Sequence, residues 1–154
     1  MKKVLFFLLV LIFSSYAKDN EVRKVVFDLR TGDIKKFENT INGIAKHIDY
    51  YESQFKTLKV VIVAHGDSYK FFLKDLSKTP YKNDKELLKK QKLLYERLKN
   101  LHDFYKVKFE ICKLGMEARH LDISNLYPFV KPVYSALVGL VEWQNKGYAY
   151  MPIF

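Results

Sequence analysis

The 154-residue sequence has one cysteine, Cys112, and only six glycines and four prolines. One cysteine cannot form a disulfide within the chain or supply a multi-cysteine metal site. The sequence also lacks a glycine-rich phosphate loop and a Gly-x-Ser-x-Gly turn, which argues against kinases, dehydrogenases and esterases. We therefore expect no metal and no cofactor, and any covalent chemistry should centre on the single thiol.

The charge is strongly basic, with a formal net charge of +10 at pH 7. Such a surplus suits nucleic acid, an anionic membrane surface or an acidic partner. Nucleic acid is disfavoured, because no basic cluster carries interleaved aromatic residues in a recognisable binding module. The densest lysine run, residues 85–106, has apolar residues every three or four positions, so it predicts an amphipathic helix with a solvated lysine face.

The first 17 residues have the pattern of a secretory signal peptide: Lys2 and Lys3, an apolar stretch over 4–13, and a small-x-small exit at Ala17. The apolar stretch is shorter than the ~20 residues needed to cross a bilayer. We expect cleavage after Ala17 and a periplasmic or otherwise exported protein with no stable membrane insertion, an uncleaved anchor being the alternative. Residues 18–154 then suit one domain.

Apolar, β-branched runs alternate with stretches in which apolar residues recur every three or four positions. The predicted strands are 22–29, 58–64, 107–112, 130–133 and 148–153, and the predicted helices are 34–51, 68–76, 85–104, 116–120 and 135–144. This alternation predicts a three-layer α/β/α sandwich with a mainly parallel sheet of about five strands. In such sheets ligands bind beyond the carboxyl ends of the strands. The rule selects the loops after Leu29, Ala64, Cys112 and Val133.

Three segments together resemble the DsrE/DsrF-like family of small sulfur-relay α/β proteins. The segments are VVFD (25–28) with VVIVAHG (60–66), VKFEIC (107–112), and VEWQNKGYAY (141–150). The resemblance implies a five-stranded sheet, association into trimers or hexamers, and a cysteine persulfide at Cys112. It also implies sulfur donor and acceptor proteins, or small sulfane-sulfur compounds, as partners. After the cysteine, relatives often read Gly-Asn-Thr, whereas this chain has Lys-Leu-Gly at 113–115.

Cys112 is the candidate catalytic residue, because a thiolate is the nucleophile that attacks sulfane sulfur. It should end a strand just before a helix, where Lys113, Arg119 or His120 would stabilise the anion. The alternative is a small buried apolar residue with no chemistry. Arg119, His120 and Asp122 form a polar cluster, but this spacing is weak evidence for a metal site.

Three further candidate binding residues end the first two strands. His65 is expected at the same edge as Cys112, either as a base or hydrogen-bond donor or as a residue that ties down the turn. Gly66 suggests a positive φ or a close backbone approach. Asp28 lies in an apolar run and should face the site or, as we expect, pair with a lysine or arginine. Asp67 is expected to cap the following helix.

Two functions follow from these residues. The first is a cell-envelope sulfur-handling protein that accepts and passes on sulfane sulfur as a persulfide on Cys112. The second is a non-catalytic binding module that keeps the fold as an oligomer. Aromatic residues near Tyr127 and Tyr150 are expected in the core or at a contact between subunits.

Overall fold

The structure, a computed structural model, describes residues 21–154, so the proposed signal peptide lies outside the described residues. Its centre is a five-stranded sheet in the order β4-β3-β2-β1-β5, and every neighbouring pair is parallel. The strands are β1 (Glu21–Leu29), β2 (Lys56–Ala64), β3 (Lys108–Cys112), β4 (Val130–Val133) and β5 (Ala149–Ile153). The predicted α/β fold is confirmed, and the last strand lies at an edge as Pro152 indicated.

The connections are α-helices and short 3₁₀ segments. The α-helices are α1 (Ile34–Ser53), α2 (Lys85–Asp103), α3 (Lys113–Glu117) and α4 (Ala136–Asn145), and the 3₁₀ segments are Gly66–Phe72 and Ile123–Asn125. The helix predicted over 68–76 is therefore wrong in type and length. Tyr69, Phe71 and Phe72 are all buried, and positions two apart point to nearly opposite sides of an α-helix. A tighter turn brings all three toward the interior.

Capping residues begin the longer helices. The Asp33 carboxylate accepts the Lys36 N–H at 2.7 Å before α1, as the sequence predicted. Ser135 Oγ accepts the Val138 N–H at 3.2 Å before α4. The predicted short helix over 116–120 instead starts three residues earlier, because the Cys112 side chain acts as the cap of α3.

The two faces of the sheet are covered unequally. Helices α1 and α2 lie side by side on one face, and α4 lies on the other, where it contacts all five strands. On α2 the leucines of one face are buried and the lysines point to solvent, which confirms the amphipathic prediction. Within residues 21–154, no other α-helix packs extensively against α4, and its outer side chains Leu137, Val138 and Val141 are exposed.

No helix within residues 21–154 has both the length and the apolar character that crossing a membrane requires.

Candidate functional site

Cys112 lies at the carboxyl end of β3, where the strand passes directly into α3. Its side chain is mostly covered, since the residue is 8% exposed. The Gly115 backbone N–H donates to its Sγ at 3.4 Å. Negative charge on sulfur would therefore receive a hydrogen bond from the backbone, as a capping side chain does.

Tyr69 is the second group beside this sulfur. Its hydroxyl donates to the Cys112 carbonyl oxygen at 3.2 Å, and its ring is buried. Burial is the main cause that raises the pKa of Tyr69, and the neighbouring Cys112 side chain raises it further. The phenol therefore stays protonated at neutral pH and keeps its hydrogen bond to the Cys112 carbonyl. Sequence reasoning missed this residue.

Position 115 has no room for a side chain, because Tyr69 occupies the adjacent space. A Cβ added at Gly115 would lie 1.8 Å from the Tyr69 hydroxyl oxygen and 2.8 Å from Cζ. The Lys-Leu-Gly sequence at 113–115 thus has a local reason: its glycine admits the phenol beside the thiol. Arg119 completes this side, with its guanidinium 5.0 Å from the Tyr69 ring centre and donating to the Gly115 carbonyl at 3.3 Å.

A second polar cluster lies around Asp28, which is only 4% exposed. Its Oδ1 is 2.6 Å from His65 Nε2, and Tyr150 donates its hydroxyl to Oδ2, also at 2.6 Å. The expected pairing with lysine or arginine is therefore wrong. Two donors satisfy the two oxygens of a buried carboxylate, which removes most of the cost of burying it.

This arrangement orients the His65 ring. Nε2 is held against the Asp28 carboxylate, and no hydrogen bond is described for Nδ1, so Nδ1 is the ring nitrogen that stays available. The hydrogen bond to Asp28 is the main cause that raises the pKa of Tyr150. Tyr150 was expected in the core or at a subunit contact and was not among the candidate binding residues.

The two clusters lie at one edge of the sheet. Strands β2 and β3 pair in register up to Ala64 and Ile111. The next residue is His65 after β2 and Cys112 at the end of β3. Neighbouring strands are about 4.8 Å apart. No hydrogen bond between these two side chains occurs among the described contacts.

The turn between the clusters depends on Gly66. Its φ is 64°, and an added Cβ would lie 3.2 Å from the Arg30 carbonyl oxygen, so both a left-handed backbone and a close approach favour glycine. Asp67 does not cap the following segment, because that segment already begins at Gly66 and has no side-chain cap. This prediction is wrong.

The remaining candidate, His120, is exposed and has a φ of 53°. No described side-chain contact brings it to Cys112, whereas Arg119 is brought close. Within residues 21–154, no group of three or more histidine, cysteine, aspartate or glutamate side chains is arranged to hold a metal ion.

The fold and the site together define a class of protein. It is a parallel α/β sandwich with one thiol at the carboxyl edge of its sheet. The DsrE/DsrF-like family matches residues 24–153, so the chain belongs to this family, which is generally associated with sulfur relay.

Known proteins that are similar to this chain include one from Aquifex aeolicus and one from Methanobacterium thermoautotrophicum. A protein of Aquifex aeolicus (strain VF5), described as uncharacterized, is 30% identical over 152 residues, which is 99% of this chain and 64% of that protein. This chain thus spans 64% of the length of that relative. The solved structure of MTH1491 from Methanobacterium thermoautotrophicum, a protein of unknown function, matches with a TM-score of 0.64 and 18% identity. The match covers 84% of this chain and 98% of that one, and it shows the fold.

Proposed function

We propose that the protein is an exported sulfur carrier that accepts sulfane sulfur as a persulfide on Cys112 and passes it on. The observation that carries this proposal is the placement of the sole thiol at the carboxyl edge of the sheet, with a backbone donor at its sulfur. The Gly115 N–H donates to Sγ, and the Tyr69 hydroxyl donates to the carbonyl oxygen of the same residue. The Gly115 N–H can therefore hydrogen-bond to negative charge on the sulfur during transfer.

The transfer itself needs no cofactor. The Cys112 thiolate attacks the outer sulfur of a donor persulfide, a new S–S bond forms, and the S–S bond of the donor breaks. The donor leaves as a thiolate, so the exchange moves one sulfur atom without net oxidation. Delivery to an acceptor thiolate is the same step in reverse.

His65 is the proposed acid–base group. Asp28 and Tyr150 hold its Nε2 side, which leaves Nδ1 to take the proton of the Cys112 thiol and return it to the leaving thiolate. Since no hydrogen bond joins the two residues directly, the proton moves through the sulfur compound or a water molecule. Arg119, which contacts Tyr69 and the Gly115 carbonyl, adds a positive charge beside these groups and favours an anionic donor.

Intact-mass measurement tests the carrier function. After incubation with polysulfide, the protein should gain about 32 Da or a multiple of it, the mass of added sulfur, and the gain should vanish after reduction. Cys112→Ser is the matched control, because it removes the only thiol. No gain in the wild-type protein, when a known persulfide carrier is loaded under the same conditions, would count against the proposal.

Export is tested separately. We propose that residues 1–17 direct secretion and are removed. The amino-terminal sequence of protein recovered from the cell envelope should begin at Lys18. Recovery with Met1 in the soluble cell interior would contradict export and leave the carrier chemistry standing.

We also propose that copies of the chain associate through the outer face of α4. Its side chains Leu137, Val138 and Val141 are exposed, and so is Tyr134 just before the helix. Contiguous apolar surface of this kind is typical of contacts between proteins. Because the family resemblance implies trimers or hexamers, light scattering should give a mass of three or six chains. Tyr127 takes no part, because it packs inside against Tyr95 and Phe129.

The second candidate function, a module without sulfur chemistry, is favoured by one observation, the 8% exposure of Cys112. Alkylation of the native protein separates the two. A carrier should react with iodoacetamide at neutral pH within minutes, whereas a purely structural thiol reacts only after unfolding.

A further inference from the structure

The amino-terminal end of the sheet carries a groove remote from Cys112. Its floor is the start of β3, and its walls are the end of α2 and Trp143 of α4. The four steps from Lys108 to Cys112 span roughly 13 Å at about 3.3 Å per residue. Its volume is about 640 Å³, within the ~300–1,000 Å³ of small-molecule sites.

The groove has more basic than acidic groups. Lys106, Lys108 and Lys131 line it together with two acidic residues, Asp103 and Glu110. Both acids are already engaged. Asp103 is bound by Lys99 and His102.

Glu110 accepts the Trp143 Nε1–H at 2.9 Å. Its carboxylate is therefore turned toward α4, where it lies against Gly139. Within residues 21–154, no acidic partner is described for Lys108 or Lys131.

The register places two of these lysines around one spot. Lys108 lies two residues before Glu110 and so on the same side of the sheet, and Lys131 on β4 is the registered partner of Glu110. Lys108 otherwise contacts the face of Trp143, 5.1 Å from the ring centre. Half-buried Phe129 and the buried residues Val107 and Phe109 give the groove apolar surface beside these cations.

We infer that this groove binds a small organic acid whose carboxylate lies between Lys108 and Lys131 and whose apolar body lies against Phe129 and Trp143. Two ammonium groups offer an anion charge-assisted hydrogen bonds. The aromatic walls remove the apolar part of the ligand from water. This site is independent of the Cys112 chemistry, because its residues share no described contact with Cys112, His65 or Tyr69.

The chain contains one tryptophan, Trp143, so tryptophan fluorescence reports on the surroundings of this one wall of the groove. Cyclohexanecarboxylate is a suitable probe, since it does not absorb at the excitation wavelength. Its titration should change the emission with saturation at a dissociation constant of about 1 mM or below, as expected for a ligand of this size. Cyclohexanemethanol and cyclohexanemethylamine, which keep the ring but lose the negative charge, should bind at least about tenfold more weakly.

Variants locate the site. Lys108→Gln with Lys131→Gln should weaken binding of cyclohexanecarboxylate by about tenfold or more, since two charge-assisted contacts are lost. Lys85→Gln with Lys89→Gln removes the same charge from α2, away from the groove, and should change binding less than about twofold, the residual effect of net charge. Cys112→Ser should bind like the wild-type protein.

Three results would overturn the inference. They are an emission that does not saturate by about 10 mM of the carboxylate, equal affinity for the alcohol, and equal weakening by the two double variants. Because the persulfide assay reads the mass at Cys112 and this titration reads Trp143, either proposal can fail while the other stands.

Discussion

Replacing Gly115 with alanine tests the contact that holds Tyr69 beside the thiol. The new Cβ would lie 1.8 Å from the Tyr69 hydroxyl oxygen, 2.8 Å from Cζ and 3.3 Å from Cε2. Tyr69 is 1% exposed and cannot turn into solvent without opening the core. The phenol must therefore shift and lose its hydrogen bond to the Cys112 carbonyl.

The magnitude follows from three contributions. Overpacking a well-filled site costs about 1–3 kcal/mol, and the lost hydrogen bond costs about 1 kcal/mol. Alanine in place of glycine within a helix raises the free energy of unfolding by up to about 1 kcal/mol, which offsets part of this loss. The free energy of unfolding should fall by roughly 1–3 kcal/mol, and the melting temperature should fall by about 4–12 °C for a domain of this size.

Gly43→Ala is the matched control. This glycine lies on α1, and its added Cβ would meet only His47 Nδ1, at 4.0 Å. With no clash, the substitution should raise the free energy of unfolding by about 0.5–1 kcal/mol. Urea denaturation followed by circular dichroism measures both changes.

A double variant isolates the clash. Tyr69→Phe removes the hydroxyl oxygen at 1.8 Å and leaves the ring carbon at 2.8 Å. Combined with Gly115→Ala, it should be more stable than the sum of the two single changes by about 1 kcal/mol. Strict additivity, or a Gly115→Ala variant as stable as the wild-type protein, would refute the reasoning.

Three other predictions concern stability. Tyr150→Phe removes one of two donors from the buried Asp28 carboxylate and should lower the free energy of unfolding by about 1–2 kcal/mol in urea denaturation. The control is Tyr134→Phe, at an exposed residue with no described side-chain hydrogen bond. It should change the free energy of unfolding by less than about 0.5 kcal/mol. Burial raises the pKa of Tyr127 to about 12. The neutral phenol therefore makes its full contribution to the free energy of unfolding below pH ~10, and this contribution is lost between about pH 10 and 12. In Tyr127→Phe, the fall in the free energy of unfolding over this pH range should be smaller by about 2–3 kcal/mol. Leu98→Ala, at a fully buried position of α2, should cost about 2–5 kcal/mol by the same denaturation assay.

The sheet could be predicted from the sequence because each of its signals is local. A continuous apolar run such as VVIVA at 60–64 marks a strand covered on both faces, and the spacing of Leu87, Leu94, Leu98 and Leu101 marks an amphipathic helix. The rule on strand ends then selected the edge where Cys112 lies. These inferences need no knowledge of which distant residues touch.

The partners within the site could not be predicted, because they depend on the order of the strands. Tyr69 reaches Cys112 across 43 residues, and Tyr150 reaches Asp28 across 122. Only the sheet order places β5 beside β1. The cost of burying Asp28 was recognised, but lysine and arginine outnumber histidine 27 to 4, so composition favoured the wrong partner.

The proposed subunit contact and the proposed carrier chemistry meet at α3. The Leu114 N–H donates to the Tyr134 carbonyl at 3.2 Å, so the segment after Cys112 is tied to the start of the exposed apolar face. An oligomer that buries this face would therefore shield Cys112 further. Leu137→Lys places a charge on a side chain that is 73% exposed, which costs little in the isolated fold and opposes association.

This variant should have the mass of a single chain by light scattering, and its Cys112 should react with iodoacetamide several-fold faster than in the wild-type oligomer, because the shield is removed. Leu88→Lys, at an exposed position of α2, is the control and should change neither quantity. A single chain with an unchanged reaction rate would place the subunit contact away from the thiol. Sulfur donors would then approach Cys112 without any change in assembly.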